Sequence, residues 1–239
     1  MYEKYNMIIK SFLIIDEINR ANLSNVLGPV FYLFEHKMSA DGIEIEITPD
    51  FKISSLPDNF HTIATMNTAD RSVEALDTAL RRRFSFEEMP PDYSLNQLDY
   101  TVFNYKASQL LETINNRIEK LLDKDHTIGH SYFMVTEGKN EEKELLKSFY
   151  KNIIPLLQEY FFGDFGKIGL VLGKGFVNKK AWDKSTDTFA DFDYESSDFE
   201  ERDIYEIIDY RDSDHNYNIN TIDMTFEKAI QLLMRGSIE

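Results

Sequence analysis

Two short apolar runs, residues 11–16 (SFLIID) and 61–66 (HTIATM), each lead into a polar residue. Apolar side chains on both faces predict buried parallel strands. Between them, residues 22–36 carry Val26, Leu27, Val30, Phe31, Leu33 and Phe34 at helical spacing, which predicts an amphipathic helix. Residues 43–47 (IEIEI) alternate apolar and acidic, and a Thr-Pro-Asp turn precedes 51–53. That pattern predicts a half-exposed hairpin. A helix over 73–82 with Ser72 as its cap, and a strand over 84–88 (FSFEE), complete this part. Pro90-Pro91 closes it.

Beyond the double proline the spacing turns helical. One or two helices are expected over 95–122 and a long one over 141–162, kinked or divided at Pro155. Residues 173–220 are polar and acidic, with irregular structure and short strands expected near 175–182. A last helix over 225–234 places Phe226, Ile230 and Leu233 on one face. The expected organisation is α/β, with a strand-and-helix region over 1–90, a helical region over 91–172 and an acidic extension over 173–239.

Composition narrows the function classes. No apolar run approaches the roughly 20 residues that cross a bilayer, and residues 1–10 lack the layout of a secretion signal. A cytoplasmic protein with no membrane contact is expected. The chain has no cysteine, which excludes disulfides, thiolate metal sites and cysteine nucleophiles. A net charge of −16 argues against a free-standing nucleic-acid binder, since duplex phosphates require a basic surface. The charge is concentrated: residues 183–214 hold thirteen acids against Lys184, Arg202 and Arg211, a net of −10. Such a run suits a solvated surface, although Phe189, Phe192, Tyr194, Phe199 and Tyr205 make it more aromatic than disordered tracts are.

Three sets of residues carry candidate chemistry. Asp16-Glu17 ends the first strand, and the C-terminal edge of an open parallel sheet is where ligands bind. One carboxylate there can hold Mg²⁺ through water, and its neighbour can polarise an attacking water. The same pair also suits a helix cap. Asn67 ends the second strand; its amide could orient that water, or simply make a turn. Arg81-Arg82-Arg83 ends a helix, where cations suit the helix dipole. A guanidinium so placed can also enter a neighbouring subunit's site and stabilise transition-state charge. The order of these features, strand–Asp-Glu, strand–Asn, helix–Arg and then a helical region, resembles the second half of an AAA+ module with its lid.

The wording of the segments goes further. IIDEINRANLSNVLG (14–28), TMNTADRSVEALDTALRRRFSFEEMPPD (65–92), IGHSYFM (128–134) and IIPLLQEYFFGDFGKI (153–168) resemble the McrB-type GTPase subunit of 5-methylcytosine-dependent restriction systems. The resemblance implies that Asp16 and Glu17 are the Walker B pair, with Asp16 holding Mg²⁺ through water. It implies that Asn67 is the sensor, that Asp70 and Arg71 line the nucleotide or subunit interface, and that Asp77 belongs to the nucleotide-binding set. Arg82 and Arg83 match fingers acting on the adjacent subunit. GTP or ATP as substrate, self-association into a ring and an McrC-type nuclease partner are further implications.

The chain departs from that pattern in one respect. It contains no G-x-x-x-x-G-K-[ST] loop, and Gly173-Lys174-Gly175 has no Ser or Thr after its lysine. The family's phosphate-loop strand lies centrally, between the strands matched by 84–88 and 61–66, so its loss is expected to leave a gap in the sheet. A partial AAA+ core lacking the P-loop strand is therefore expected to be inactive and poorly stable alone. It is expected to be a truncated frame, or a half completed by an upstream polypeptide that supplies the P-loop. The alternative is a hydrolysis-incompetent interaction module. The family's methylated-DNA-reading domain is also missing, so DNA contact is expected only indirectly. His126 and His130 stand four positions apart, but zinc needs at least three good ligands and none joins them nearby; a lid turn is the simpler expectation.

Overall fold

The computed structural model describes residues 10–22, 25–26, 28–30, 33–34, 44–69, 78–136, 138–180, 193, 202–211, 217–219 and 222–235. The chain forms two compact units, Met1–Glu88 and Met89–Glu239.

In the first unit, β1 (Ser11–Ile15) pairs in parallel with β4 (Phe60–Ala64), Ile15 standing opposite Ala64. Between them, β2 (Ile45–Thr48) and β3 (Phe51–Ile53) form the expected antiparallel hairpin. One side of the β1–β4 pair is packed: Ile18 is buried against Ile15, Phe34, Ala64, Met66 and Phe84. The other side is open. Phe12 is 55%, Ile14 70% and Ile63 52% exposed, which corrects the expectation of strands buried on both faces. The register places Phe12 beside His61 and Ile14 beside Ile63 on that side. Parallel sheets are ordinarily covered on both faces, and here the described residues cover one.

Residues 84–88 were expected to be a strand and are not, because they find no ladder partner among the described residues. Of the helix expected over 22–36, residues 22, 25–26, 28–30 and 33–34 are described: 25–26 and 33–34 are helical, and Gly28–Val30 forms a 3-10 turn. The helix before the arginines is described as α1, Thr78–Arg83, and its expected first half and Ser72 cap lie outside the described residues.

The second unit is built on α2 (Ala107–Leu121), whose Leu110, Leu111, Ile114 and Ile118 are fully buried. Of the one or two helices expected over 95–122, α2 is the α-helix formed; before it a 3-10 turn at Asn96–Leu98 leads into a two-residue hairpin, β5 (Thr101–Val102) and β6 (Tyr105–Lys106).

The long helix over 141–162 is divided as Pro155 demands. Helix α3 (Glu141–Ser148) passes through a π-helical segment, Phe149–Ile153, into α4 (Ile154–Tyr160). Proline has no N–H and collides with the preceding turn, and the widened turn absorbs the misfit. Asn140 caps α3, accepting from the Lys143 amide at 2.8 Å. Asp164 caps α5 (Phe165–Leu172) in the same way.

Packing continues past residue 172. Strand β7 (Val177–Lys179) pairs antiparallel with β8 (Tyr205–Ile207), and β9 (Asn218–Ile219) with β10 (Ile222–Asp223). Helix α6 (Phe226–Arg235) buries Phe226, Ile230 and Leu233 as its periodicity predicts. They enter the same core as the lid helices. Phe149 stacks on Phe176 at 5.0 Å and meets Phe226 edge-on at 5.6 Å. Arg117 ties α2 to two helix ends, donating to the carbonyls of Val171 at 2.6 Å and Leu233 at 2.7 Å. A cation suits these carbonyl-bearing C-termini. No helix among the described residues is long and apolar enough to cross a membrane.

Candidate functional site at the ends of two parallel strands

Because β1 and β4 run in parallel and in register, both deliver their C-terminal residues to one edge. Asp16 and Glu17 leave β1 there, and Thr65, Met66 and Asn67 leave β4. The ladder continues one step beyond the strands: the Thr65 amide donates to the Ile15 carbonyl at 2.9 Å. Glu17 then takes the left-handed conformation, φ 51° and ψ 55°. That backbone is uncommon for a residue with a side chain and is concentrated at functional sites.

The turn at Glu17 changes which amide reaches the neighbouring strand. The Ile18 amide, one residue later than a regular ladder would use, donates to the Thr65 carbonyl at 2.8 Å. The Glu17 amide is taken instead by the Thr65 hydroxyl oxygen at 3.0 Å. The same hydroxyl donates to Oδ1 of Asp16. The Glu17 carboxylate pairs with Arg20 one turn on.

Asn67 is held from both ends. Its carbonyl accepts from Asn19 Nδ2 at 2.9 Å, and its side-chain Oδ1 accepts from the Ala69 amide at 3.0 Å. With Oδ1 committed, the amide nitrogen of Asn67 is the group available as a donor.

Of the residues singled out from the sequence, the structure brings Asp16, Glu17 and Asn67 together. Arg82 is exposed and Arg83 half-buried at the end of α1. Their neighbour Arg81 lies 5.8 Å over the ring of Phe86. Asp70, Arg71 and Asp77 lie outside the described residues, as does most of the acidic 183–214 stretch. Thr65, Asn19 and Arg20 join the site without having been anticipated. The signal for Thr65 was register: position 65 is read as a site position only once Ile15 is known to face Ala64.

The donor set fits a hydrated divalent cation. Asp16 is exposed at the strand edge, and Mg²⁺ is typically held by one or two carboxylates together with water and substrate phosphates. Among the described residues no group of three or more His, Asp or Glu forms an all-protein cage. His126 is instead engaged by Asp123, at 2.6 Å from Nδ1, and His130 Nδ1 accepts from the Asp92 amide at 3.1 Å. Both histidines serve the turn that carries IGHSYFM. The hydrogen bond from His126 holds the Asp123 carboxyl below its ordinary value.

The comparisons with known proteins agree with this layout. The family model for an AAA domain of the dynein-related subfamily matches residues 4–84. The model for the McrB α-helical lid domain matches residues 106–169. The two parallel strands with acidic and amide residues at one edge lie within the AAA-domain match, and the lid match follows it, which supports an AAA domain with a helical lid.

Over 172 residues the chain is 39% identical to the Type IV methyl-directed restriction enzyme EcoKMcrB subunit of Escherichia coli K12, covering 65% of this chain and 38% of that one. It is 29% identical over 157 residues to the Type II restriction enzyme BsuMI component YdiS of Bacillus subtilis 168, covering 57% and 46%. The chain thus spans less than half the length of these curated relatives. The two family matches, in this order, and the identity to the Escherichia coli subunit support an McrB-type AAA+ protein.

Proposed function

We propose that this chain supplies the hydrolysis residues of a GTP- or ATP-hydrolysing AAA+ motor in a modified-DNA restriction complex. The observation that carries the proposal is the convergence of Asp16, Glu17 and Asn67 at one edge of two paired parallel strands. Asp16 would hold Mg²⁺. Glu17 accepts a proton from the attacking water, and the Asn67 amide orients it. When bound, Mg²⁺ would neutralise charge developing on the phosphates. Arg82 and Arg83 act on the site of the adjacent subunit in a ring, and Asp70, Arg71 and Asp77 contribute to nucleotide or subunit contacts.

Residues 1–239 contain no phosphate-binding loop, so hydrolysis requires a segment that carries one. The open side of β1 and β4, with Phe12, Ile14 and Ile63 exposed, supports a further segment packing there. An McrC-type nuclease is the proposed partner, DNA being engaged through the assembled complex in the cytoplasm.

The test is to combine this chain with a P-loop-bearing segment of this family and to measure GTP and ATP hydrolysis. Hydrolysis is expected in the assembly, absent from the chain alone, and lost in Glu17→Gln. Activity that survives Glu17→Gln would refute the assignment.

A further inference from the structure

Thr65 lies two residues before the sensor Asn67. Its hydroxyl makes two bonds across the strand pair, to residues with different tasks: it donates to Asp16 Oδ1 and accepts from the Glu17 amide at 3.0 Å. We infer that Thr65 is a positioning residue that sets the orientation of the Asp16 carboxylate and the backbone of Glu17 at once. The inference rests on the hydrolase assignment above.

The physical reason lies in the left-handed turn at Glu17. A regular parallel ladder would send the Glu17 amide to the Thr65 carbonyl. Once Glu17 adopts φ 51°, Ile18 occupies that carbonyl instead, and the Glu17 amide must find another acceptor. The Thr65 hydroxyl is the acceptor the structure supplies. The strained backbone at Glu17 is thereby compensated from the neighbouring strand.

Accepting at its oxygen leaves the hydroxyl proton to be donated, and it goes to the carboxylate beside it. That bond commits Oδ1 of Asp16 and fixes the plane of the carboxyl group. Two side chains that must be placed to within a fraction of an ångström are therefore coupled through one hydroxyl. Asn19 does the corresponding work for Asn67, but only through a backbone carbonyl. Threonine is the residue type that fits: valine has the same shape with neither donor nor acceptor, and serine keeps both.

Three variants, Thr65→Val, Thr65→Ser and Glu17→Gln, test this with two readouts. In the chain itself, hydrogen–deuterium exchange across residues 16–18 reports the Glu17 amide. Thr65→Val is expected to accelerate exchange there and Thr65→Ser to leave it near the parent rate. In the assembled hydrolase, Thr65→Val is expected to lower kcat by about 10–100-fold, the scale of a small misplacement of a catalytic group, with KM for nucleotide little changed. Thr65→Ser should recover most of that loss.

Thr65→Val hydrolysing within about twofold of the parent, while Glu17→Gln is inactive, would overturn the role of Thr65 and leave the hydrolase assignment standing. Thr65→Ser failing as badly as Thr65→Val, or unchanged exchange in Thr65→Val, would overturn it equally. Activity in Glu17→Gln, or none in the parent assembly, would remove the hydrolase assignment and this role with it.

Discussion

Replacing Asn115 with leucine should destabilise the helical unit more than any surface change on the same helix. Asn115 is 1% exposed in the middle of α2. Its Oδ1 accepts from the Ile128 amide at 2.7 Å, and its Nδ2 donates to the Ile128 carbonyl at 2.9 Å and to the Tyr93 hydroxyl at 3.1 Å. One side chain thus satisfies both backbone groups of a fully buried residue and anchors the start of IGHSYFM.

Leucine has nearly the shape of asparagine, so the dominant loss is polar. Two buried backbone groups are left without partners, at about 1–3 kcal/mol each. With partial relaxation the expected cost is about 2–5 kcal/mol, or roughly 5–15 °C in Tm for a protein of this size. The assay is a thermal melt followed by near-ultraviolet circular dichroism, with the exposed neighbour substituted as Asn116→Leu for comparison. A Tm for Asn115→Leu within about 2 °C of Asn116→Leu would show that the Ile128 groups find other partners, and would refute the role given to Asn115.

Two further outcomes follow from the same unit. At Gly175 an added Cβ would lie 2.7 Å from the Ala229 Cα and 3.2 Å from its carbonyl oxygen, so Gly175→Ala must push α6 away. A stability loss of about 1–3 kcal/mol is expected, as for overpacking, with faster proteolysis within 226–235; parent-like resistance would count against the close approach. The Asp123 carboxyl is held below its ordinary 3.8 by the hydrogen bond from His126. A lowered folded-state value stabilises the protein above the unfolded value and stops doing so as pH falls through the folded one. The gap in Tm between the parent and Asp123→Asn should therefore be full near pH 6–7 and shrink below about pH 4; a gap that widens on acidification would contradict the sign.

What the sequence determined is local. The polar residues closing two apolar runs located Asp16, Glu17 and Asn67 at strand ends. The Pro155 position located the break in the long helix, since the missing N–H acts on its own turn whatever surrounds it. The spacing of Phe226, Ile230 and Leu233 identified a buried face because helical period is an intrinsic property of the chain.

Only the tertiary structure decided the rest. Residues 84–88 look like a strand but need a partner to be one. Phe12 and Ile14 look doubly buried, yet their burial depends on what covers the sheet. Thr65 became a site residue through a pairing 49 positions long in sequence, and α6 joined the lid core through contacts of greater reach still, such as Arg117 with Leu233, 116 positions apart. Periodicity encodes which side of an element is apolar; it carries no information on which distant residue will stand opposite, because register is selected by the packing of whole elements.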